Sequence, residues 1–341
     1  MNPRFSIELK GEVRALLNSD PNGRYADPGV WGKAAVLIAL TVLGYGSLLF
    51  LAHTFSDRVV LVLALAFVTL FLGLNVMHEA AHGNLSPHPG INRILAYTFD
   101  LFGISSDLYV IKHTHFHHHY TNLHEFDGDI NEAPLIRMSL EQTRWGIHRY
   151  QALYTPLLYS LITLTWPFFD LIRLVRPRVG GKPFTPPRFG VKLRILLFKV
   201  LHYVLALALP AHLIGWKETL VLFTLFHAVL GTILALIFQV AHVHESGLVQ
   251  PGTGREDWHI HQMLTSADFS TGNPWINHSF GGLNFQTIHH LFPNVSHRHF
   301  PAIRQIVIRL AKQHGIPYTH FASFGEAIRA HFRLLSRLGR A

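Results

Sequence analysis

The chain has 341 residues, 49% of them hydrophobic and only 14% charged. Soluble domains carry about 25% charged residues, so part of this surface faces lipid rather than water. The net charge of +9 suits nucleic acid or an anionic membrane surface, and the apolar excess favours the membrane. The absence of cysteine excludes disulfides, zinc–thiolate sites, iron–sulfur clusters and thiol nucleophiles, and leaves the redox compartment unreadable. The anomaly is a count of 26 histidines.

Residues 1–32 read as a cytoplasmic lead-in, with an amphipathic helix over Ile7–Leu17 that Pro21, Asn22, Gly23, Pro28 and Gly29 break. This opening is polar and mixed in charge, so no cleavable signal peptide is expected and insertion would use an internal span. Two uncharged runs follow, 34–52 and 59–77, joined across Asp57–Arg58. Each is close to the roughly 20 residues that cross a bilayer core, and together they predict a hairpin. Segment 78–194 is long and mostly polar. Its apolar patch Tyr154–Phe169, interrupted by Pro156 and Pro167, predicts a helix lying in the interface rather than a span. Runs 195–214 and 220–240 predict a second hairpin. Segment 241–341 then returns to the first side, with amphipathic helices over Ala302–Gln313 and Phe324–Leu338.

The charges test this topology. The two short turns hold only Arg58 and Lys217 among basic residues. The positive-inside rule therefore places segments 78–194 and 241–341 and both termini in the cytoplasm. The fold class expected is an all-α integral membrane protein. It has four transmembrane helices in two hairpins and a cytoplasmic helical cap carrying a di-metal site, with residues 33–335 as one domain.

The histidines fall into groups on that cytoplasmic side. His78-Glu-Ala-Ala-His82 ends the second span, and i, i+4 residues share a helix face. The same five residues fit the HExxH pattern of a zinc hydrolase, with Glu79 as general base. In Lys112–Thr121, KHTHFHHHYT, His113, His117 and His118 take one side of a helix, while His115 and His119 point elsewhere. A third group, Gln286, His289 and His290, sits in NHSFGGLNFQTIHHLFP. Gln286 stands where a first histidine might be, and is the candidate catalytic residue through a bound water or ligand. His242 follows the fourth span as His78 follows the second; His244 reads as structural. Eight imidazoles are too many for one ion and suit two, with about four each. All-nitrogen ligation fits Fe, Zn or Cu rather than Mg or Ca. A membrane metal transporter would need ionisable groups within the spans. The first two spans have none, and His202, His212 and His227 are the best it could use.

At this point the chain resembles the membrane fatty-acid desaturase family, whose three histidine boxes bind two irons. Here the boxes are His78/His82, His113/His117/His118 and Gln286/His289/His290. The Gln-led third box, the DGDI after the second and QVAHVHE around His242 are similar to front-end and linoleoyl-CoA-type acyl desaturases. The resemblance spans roughly residues 30–335. It implies two Fe ions, O2-dependent insertion of a double bond into a fatty acyl chain held in the membrane, and an external electron donor of cytochrome b5 or ferredoxin type. The nearest alternative on the same site is a hydroxylase. It also implies location in a bacterial inner membrane rather than endoplasmic reticulum. His88–Gly90 lacks the second glycine of a haem-binding HPGG motif, so no fused cytochrome domain is expected. His115 and His119 are extra to the family pattern, and His278 stands where an aromatic is expected. His259, His261, His297 and His299 read as supporting or surface residues. Asp127 and Asp129 are candidate partners for ligand N–H groups, and the basic segments suit anionic lipid.

Overall fold

The protein is described by a computed structural model covering residues 3–249 and 257–341. It is mostly helical. Helix α1 (Pro3–Asn18) is followed by α2 (Pro28–Phe50) and α3 (Phe55–Ala81). The start of α2 is set by Asp27, whose side chain accepts from the Val30 N–H, and by Pro28 in the first turn. Thr54 and Asp57 form a reciprocal capping box at the start of α3. Both helices therefore begin earlier than the apolar runs suggest, and Asp57 lies inside the first turn rather than in a loop. The same holds for α8 (Phe189–Ile214) and α9 (Trp216–Val240), joined at Gly215 with φ 90°. Among the described residues these are the four single helices long and apolar enough to cross a membrane, and two bent helix pairs reach that length and composition together. Arg58 and Glu218, at the two short connections, form a 2.8 Å ion pair.

Helix α3 packs against both α2 and α9. Its central place shows in burial: half of its apolar window is covered, against 22% for α2 and α8. Val42 and Leu43 of α2 and Leu197 and Val200 of α8 are exposed, as lipid-facing side chains are.

Between these pairs lie two bent ones. Helices α4 (Pro89–Leu101) and α5 (Ser106–Tyr120) meet at 107°, and α6 (Gly146–Ser160) and α7 (Ile162–Val175) at 76°. The patch Tyr154–Phe169 falls on the second bend, with Leu157 and Phe168 exposed. Helix α6 approaches α9 at Gly231, where a Cβ would stand 2.9 Å from the Tyr159 carbonyl. The C-terminal part supplies α10 (Trp258–Thr265), α11 (Gln286–Leu291), α12 (Phe300–His314) and α13 (Phe324–Leu338). Phe5, Leu9 and Val13 of α1 pack with Ile303, Val307 and Leu310 of α12. The two C-terminal helices lie within two residues of their predicted bounds. The chain departs from all-α in two short pairs, parallel Ala267–Phe269 with Thr319–Phe321 and antiparallel Arg178–Val179 with Lys182–Pro183. Strands of two or three residues leave no period-2 pattern to read.

A buried ionic knot fixes α7 to α8. Asp170 accepts from Lys199 Nζ at 2.5 Å, from the Ser105 N–H at 2.7 Å and from Arg173 at 3.5 Å, while Arg173 also pairs with Glu132. Asp170, Arg173 and Lys199 are each 6% exposed or less. Removing one partner strands the others in a medium that cannot solvate them. Asp170→Ala is therefore expected to lower stability by about 3–5 kcal/mol, read as thermal unfolding in detergent. The double change Asp170→Leu with Lys199→Met should cost less than Asp170→Ala alone; an equal or larger loss would refute the ionic account.

Candidate metal centre

The four helix ends bring the histidines together. His78 and His82 close α3, His113, His117 and His118 lie on α5, His242 follows α9, and His289 and His290 belong to α11. All are buried except His82, which is partly so. They divide into two groups, His78, His82, His113 and His289 in one and His117, His242 and His290 in the other. His118 lies between. Its Nε2 is 3.2 Å from His113 Nε2, and its ring stands 4.6 Å from that of His289 and 4.2 Å from that of His290.

His113, His117 and His118 lie together, with ring centroids 4.7–5.7 Å apart, but the backbone that brings them there is not a regular α-helix. Residues Ile111–His117 form a π turn, in which the His118 N–H donates to the carbonyl of His113. At 3.6 residues per turn, i and i+5 would diverge by about 140°. The wider π turn instead places His118 beneath His113, and His117 faces the second group. A second π turn, Gly73–Met77, precedes His78.

The second group is held from behind. His117 Nδ1 donates to Asp127 at 3.1 Å, His242 Nδ1 to the Thr265 carbonyl at 3.1 Å, and His290 Nδ1 to Gln262 Oε1 at 2.8 Å. Gln262 Nε2 donates to the His118 carbonyl at 3.0 Å, which fixes the amide with its oxygen toward His290. Each Nδ1–H is thereby committed outward and each Nε2 lone pair is turned inward. Asp129 is 3.3 Å from His117 Nδ1 and 2.5 Å from Lys112 Nζ. Gln286 Nε2 donates to His242 Nε2 at 3.0 Å.

The inward atoms fit a metal. His82 Nε2, both ring nitrogens of His289 and His290 Nε2 are buried without a hydrogen-bond partner. An unpaired buried polar atom costs about 1–3 kcal/mol, and unpaired imidazole nitrogens in each of the two groups suit a cation. Tetrahedral nitrogens with metal bonds of about 2.0–2.1 Å stand about 3.3 Å apart. The His78–His113 and His113–His118 Nε2 separations are 3.1 and 3.2 Å. Burial pushes His82, His113, His118, His242, His289 and His290 well below the ordinary imidazole range, so they are neutral and able to ligate. Burial would lower His117 as well, but the carboxylates of Asp127 and Asp129 outweigh it and hold His117 above its ordinary value.

Other candidates stand apart. His115, His119 and His278 are exposed. Glu79 faces Ser296 and His297, each at 3.0 Å, and Asn84 at 3.1 Å. It clamps the first box to the loop after the third, which removes it from the role of a hydrolase's general base. His244 bonds the nearby Gly247 N–H at 3.0 Å, a structural contact as expected. His202 and His227 bond the Leu101 carbonyl and Thr163. Both line an apolar cavity of about 430 Å³ between the four long helices, which reaches Met77, His78 and Tyr109.

A model of the family described as "Fatty acid desaturase" matches residues 56–322. The chain belongs to the fatty acid desaturase family. It is 31% identical to the sn-1 linoleoyl-lipid 6-desaturase of Synechocystis sp., over 99% of this chain and 98% of that one. The enzyme of that name from Arthrospira platensis is 29% identical over 98% and 92%. The acyl-lipid (8-3)-desaturase of Physcomitrium patens is 31% identical over 99% and 72%. The protein is thus an oxidoreductase that desaturates fatty acyl chains, and a membrane protein, as the three boxes imply.

Thr121, Thr265 and Gln262 of the desaturase were not singled out by sequence. Thr121, whose hydroxyl donates to Gln262 Oε1 at 2.9 Å, stands three residues after the second box, which is a signal of sorts; Gln262 and Thr265 carry none. Asp268 is similar, bonding the Thr287 N–H at 2.8 Å beneath the third box and accepting from Tyr318. Burial raises its pKa to about 6, and the hydrogen bonds from Tyr318 and Thr287 offset this only in part. The folded protein thus keeps a proton that an unfolded Asp releases near 3.8. That contribution to stability is complete below about pH 3.8 and is lost as pH rises through about 6. The melting temperature of the desaturase is expected to fall, relative to that of Asp268→Asn, between about pH 4 and pH 7. Parallel pH profiles would show that this proton is not retained.

Proposed function

We propose that the desaturase holds two iron ions, one at His78, His82, His113 and His289 and one at His117, His242 and His290, with His118 shared between them. Asp127 serves as the carboxylate partner of His117, beside Asp129, which Lys112 holds in place. The observation that carries this reading is the set of partnerless imidazole nitrogens converging where the apolar cavity ends. Iron bound there supplies the reduction of O2 to water that is coupled to removal of two hydrogens from an acyl chain. The residues of the chain do the rest. The cavity walls hold the acyl chain by burial, at about 0.8 kcal/mol per methylene. Helix α3 sets which carbons reach the centre, because Met77 and His78 line the cavity where it meets the histidines. Rotation of the Gln286 amide would turn its oxygen to a water or ion beside His242.

The relatives named as linoleoyl-lipid 6-desaturases, aligned over nearly the whole chain, support a lipid-linked, already unsaturated acyl chain as substrate. The new double bond would then lie between the existing ones and the carboxyl end. The Arg58–Glu218 pair supports two membrane hairpins with both short turns on one side. The basic segments support the histidines and both termini facing the cytoplasm, and the cyanobacterial relatives support a bacterial inner membrane. Electrons would come from a separate cytochrome b5 or ferredoxin.

Expression in a host supplying ferredoxin and linoleoyl lipids should yield a fatty acid two mass units lighter by gas chromatography–mass spectrometry. A product sixteen units heavier would make the enzyme a hydroxylase. Active protein should contain two irons per chain, and active protein with two zincs and no iron would sink the proposal. Asp127→Asn should weaken iron binding about 10–100-fold, measured by competition with a chelator. Gln286→Ala should retain iron and lose most activity; full activity would confine the third box to His289 and His290.

A further inference from the structure

A second cavity, about 590 Å³ in volume, opens between α1, the turn before α2, α10 and the segment after α11. It shares no lining residue with the acyl cavity, and no residue of the four apolar helices lines it. Its cationic wall is Lys10, Arg14 and Arg24. Lys10 and Arg14 are exposed. Among the described residues none of the three pairs with a carboxylate, whereas the acids of the same elements are engaged. Glu8 pairs with His314, Glu12 with Arg309, Asp20 with Arg298, and Asp257 bonds Ser6. Among the described residues, no carboxylate therefore pairs with the three cations that line this groove.

The remaining walls lead to the metal centre. Leu291 and Phe292, which directly follow His290, line the groove beside Trp258. The Trp258 indole N–H donates to the His118 carbonyl at 3.2 Å. One turn further along α10, Gln262 bonds both the His118 carbonyl and His290 Nδ1. His118 and His290 are the stacked pair where the two histidine groups meet, with rings 4.2 Å apart and 25° from parallel. The groove and the centre are thus joined by one side chain and one hydrogen bond.

We propose that this groove docks an acidic one-electron carrier protein and that Trp258 is the residue through which its electrons reach His118. The assignment rests on the di-iron reading above. In each turnover a CH2–CH2 unit becomes CH=CH and O2 becomes two waters. The substrate supplies two of the four electrons and two of the four protons. The other two electrons arrive singly from two reduced carriers, each oxidised by one electron, and the other two protons come from solvent. Unpaired cations around an aromatic residue suit such a carrier. They raise encounter rates and fix orientation, while the short exit keeps donor and acceptor close.

The test uses the iron-loaded full chain in lipid nanodiscs, with an acidic [2Fe–2S] ferredoxin and its reductase as donor. The double variant Lys10→Glu/Arg14→Glu should raise KM for ferredoxin about tenfold or more and flatten its dependence on salt. A ferredoxin whose surface carboxylates are changed to lysines should recover much of that loss. Trp258→Phe keeps an aromatic ring but lacks the N–H, and should lower kcat at saturating ferredoxin with little change in KM. Single turnover of dithionite-reduced enzyme mixed with O2 bypasses the carrier. Product there with an unchanged ferredoxin KM in the charge-reversed variant overturns the docking assignment alone. No product there from the wild-type enzyme overturns the di-iron reading beneath it. If charge reversal instead weakens binding to vesicles of anionic phospholipid and spares ferredoxin KM, the groove is a lipid contact and the proposal fails.

Discussion

The structure depends on keeping a cluster of imidazoles buried, neutral and short of hydrogen-bond partners. Water would satisfy those nitrogens, and protonation would drive the rings apart. Both are prevented by placing the cluster where the ends of α3, α5 and α9 converge with α11. His78, His118, His289 and His290 are at most 2% exposed. Desolvation disfavours the charged form of such groups more than neighbouring rings can. The acceptors provided behind the second group, Asp127, the Thr265 carbonyl and Gln262, address Nδ1; His290 Nε2 is left without a partner, while His242 Nε2 accepts from Gln286. In that group the outward nitrogens are paired and the inward ones are turned to where a cation would sit. This asymmetry separates a binding site from a merely buried polar cluster.

The apolar helices serve the same end. Their outward faces offer lipid a mostly hydrocarbon surface, while their inward faces leave the cavity that reaches His78. The charges admitted near them are tied off. Asp170 gathers Lys199, Arg173 and the Ser105 N–H, and Arg58 meets Glu218 at the opposite turns. The first knot holds the beginning of α5, and so bears on His113 through the helix itself. Glu79 works likewise at the first box, binding it to Ser296 and His297 beyond the third. Elements distant in sequence thereby keep a common register at the centre.

Much of this was legible from the residues. Four uncharged runs of near-bilayer length carry a strong signal, because lipid tolerates few alternatives to an apolar helix. The clustered histidines were equally plain, and Asp127 could be named because a ligating imidazole needs a partner for its second nitrogen. What escaped was of a different physical kind. The helix starts moved because Asp27 and Thr54 cap outside the apolar run. Gln262 and Thr265 reach the centre through tertiary packing of α10, which no spacing encodes. The pairing of Lys199 with Asp170, 29 positions away, leaves no local pattern. The conspicuous extras His115 and His119 proved to be surface residues.

The second box shows how far local pattern can be trusted. On an α-helix its three ligands would be spread, and a single ion could not collect His113 and His118. The chain resolves this by changing the helix rather than the residues. A π turn adds a residue to the ring between them, so the i, i+5 pair lines up and the i, i+4 residue is released toward the other group. One box then contributes to both sides of the centre. The turn Gly73–Met77 makes a comparable adjustment before His78. π turns sacrifice backbone packing and persist where something else repays them. Here the return is a ring geometry that regular helices from the same sequence could not supply. The spacing of the histidines therefore encodes the centre only together with the irregular backbone that carries it.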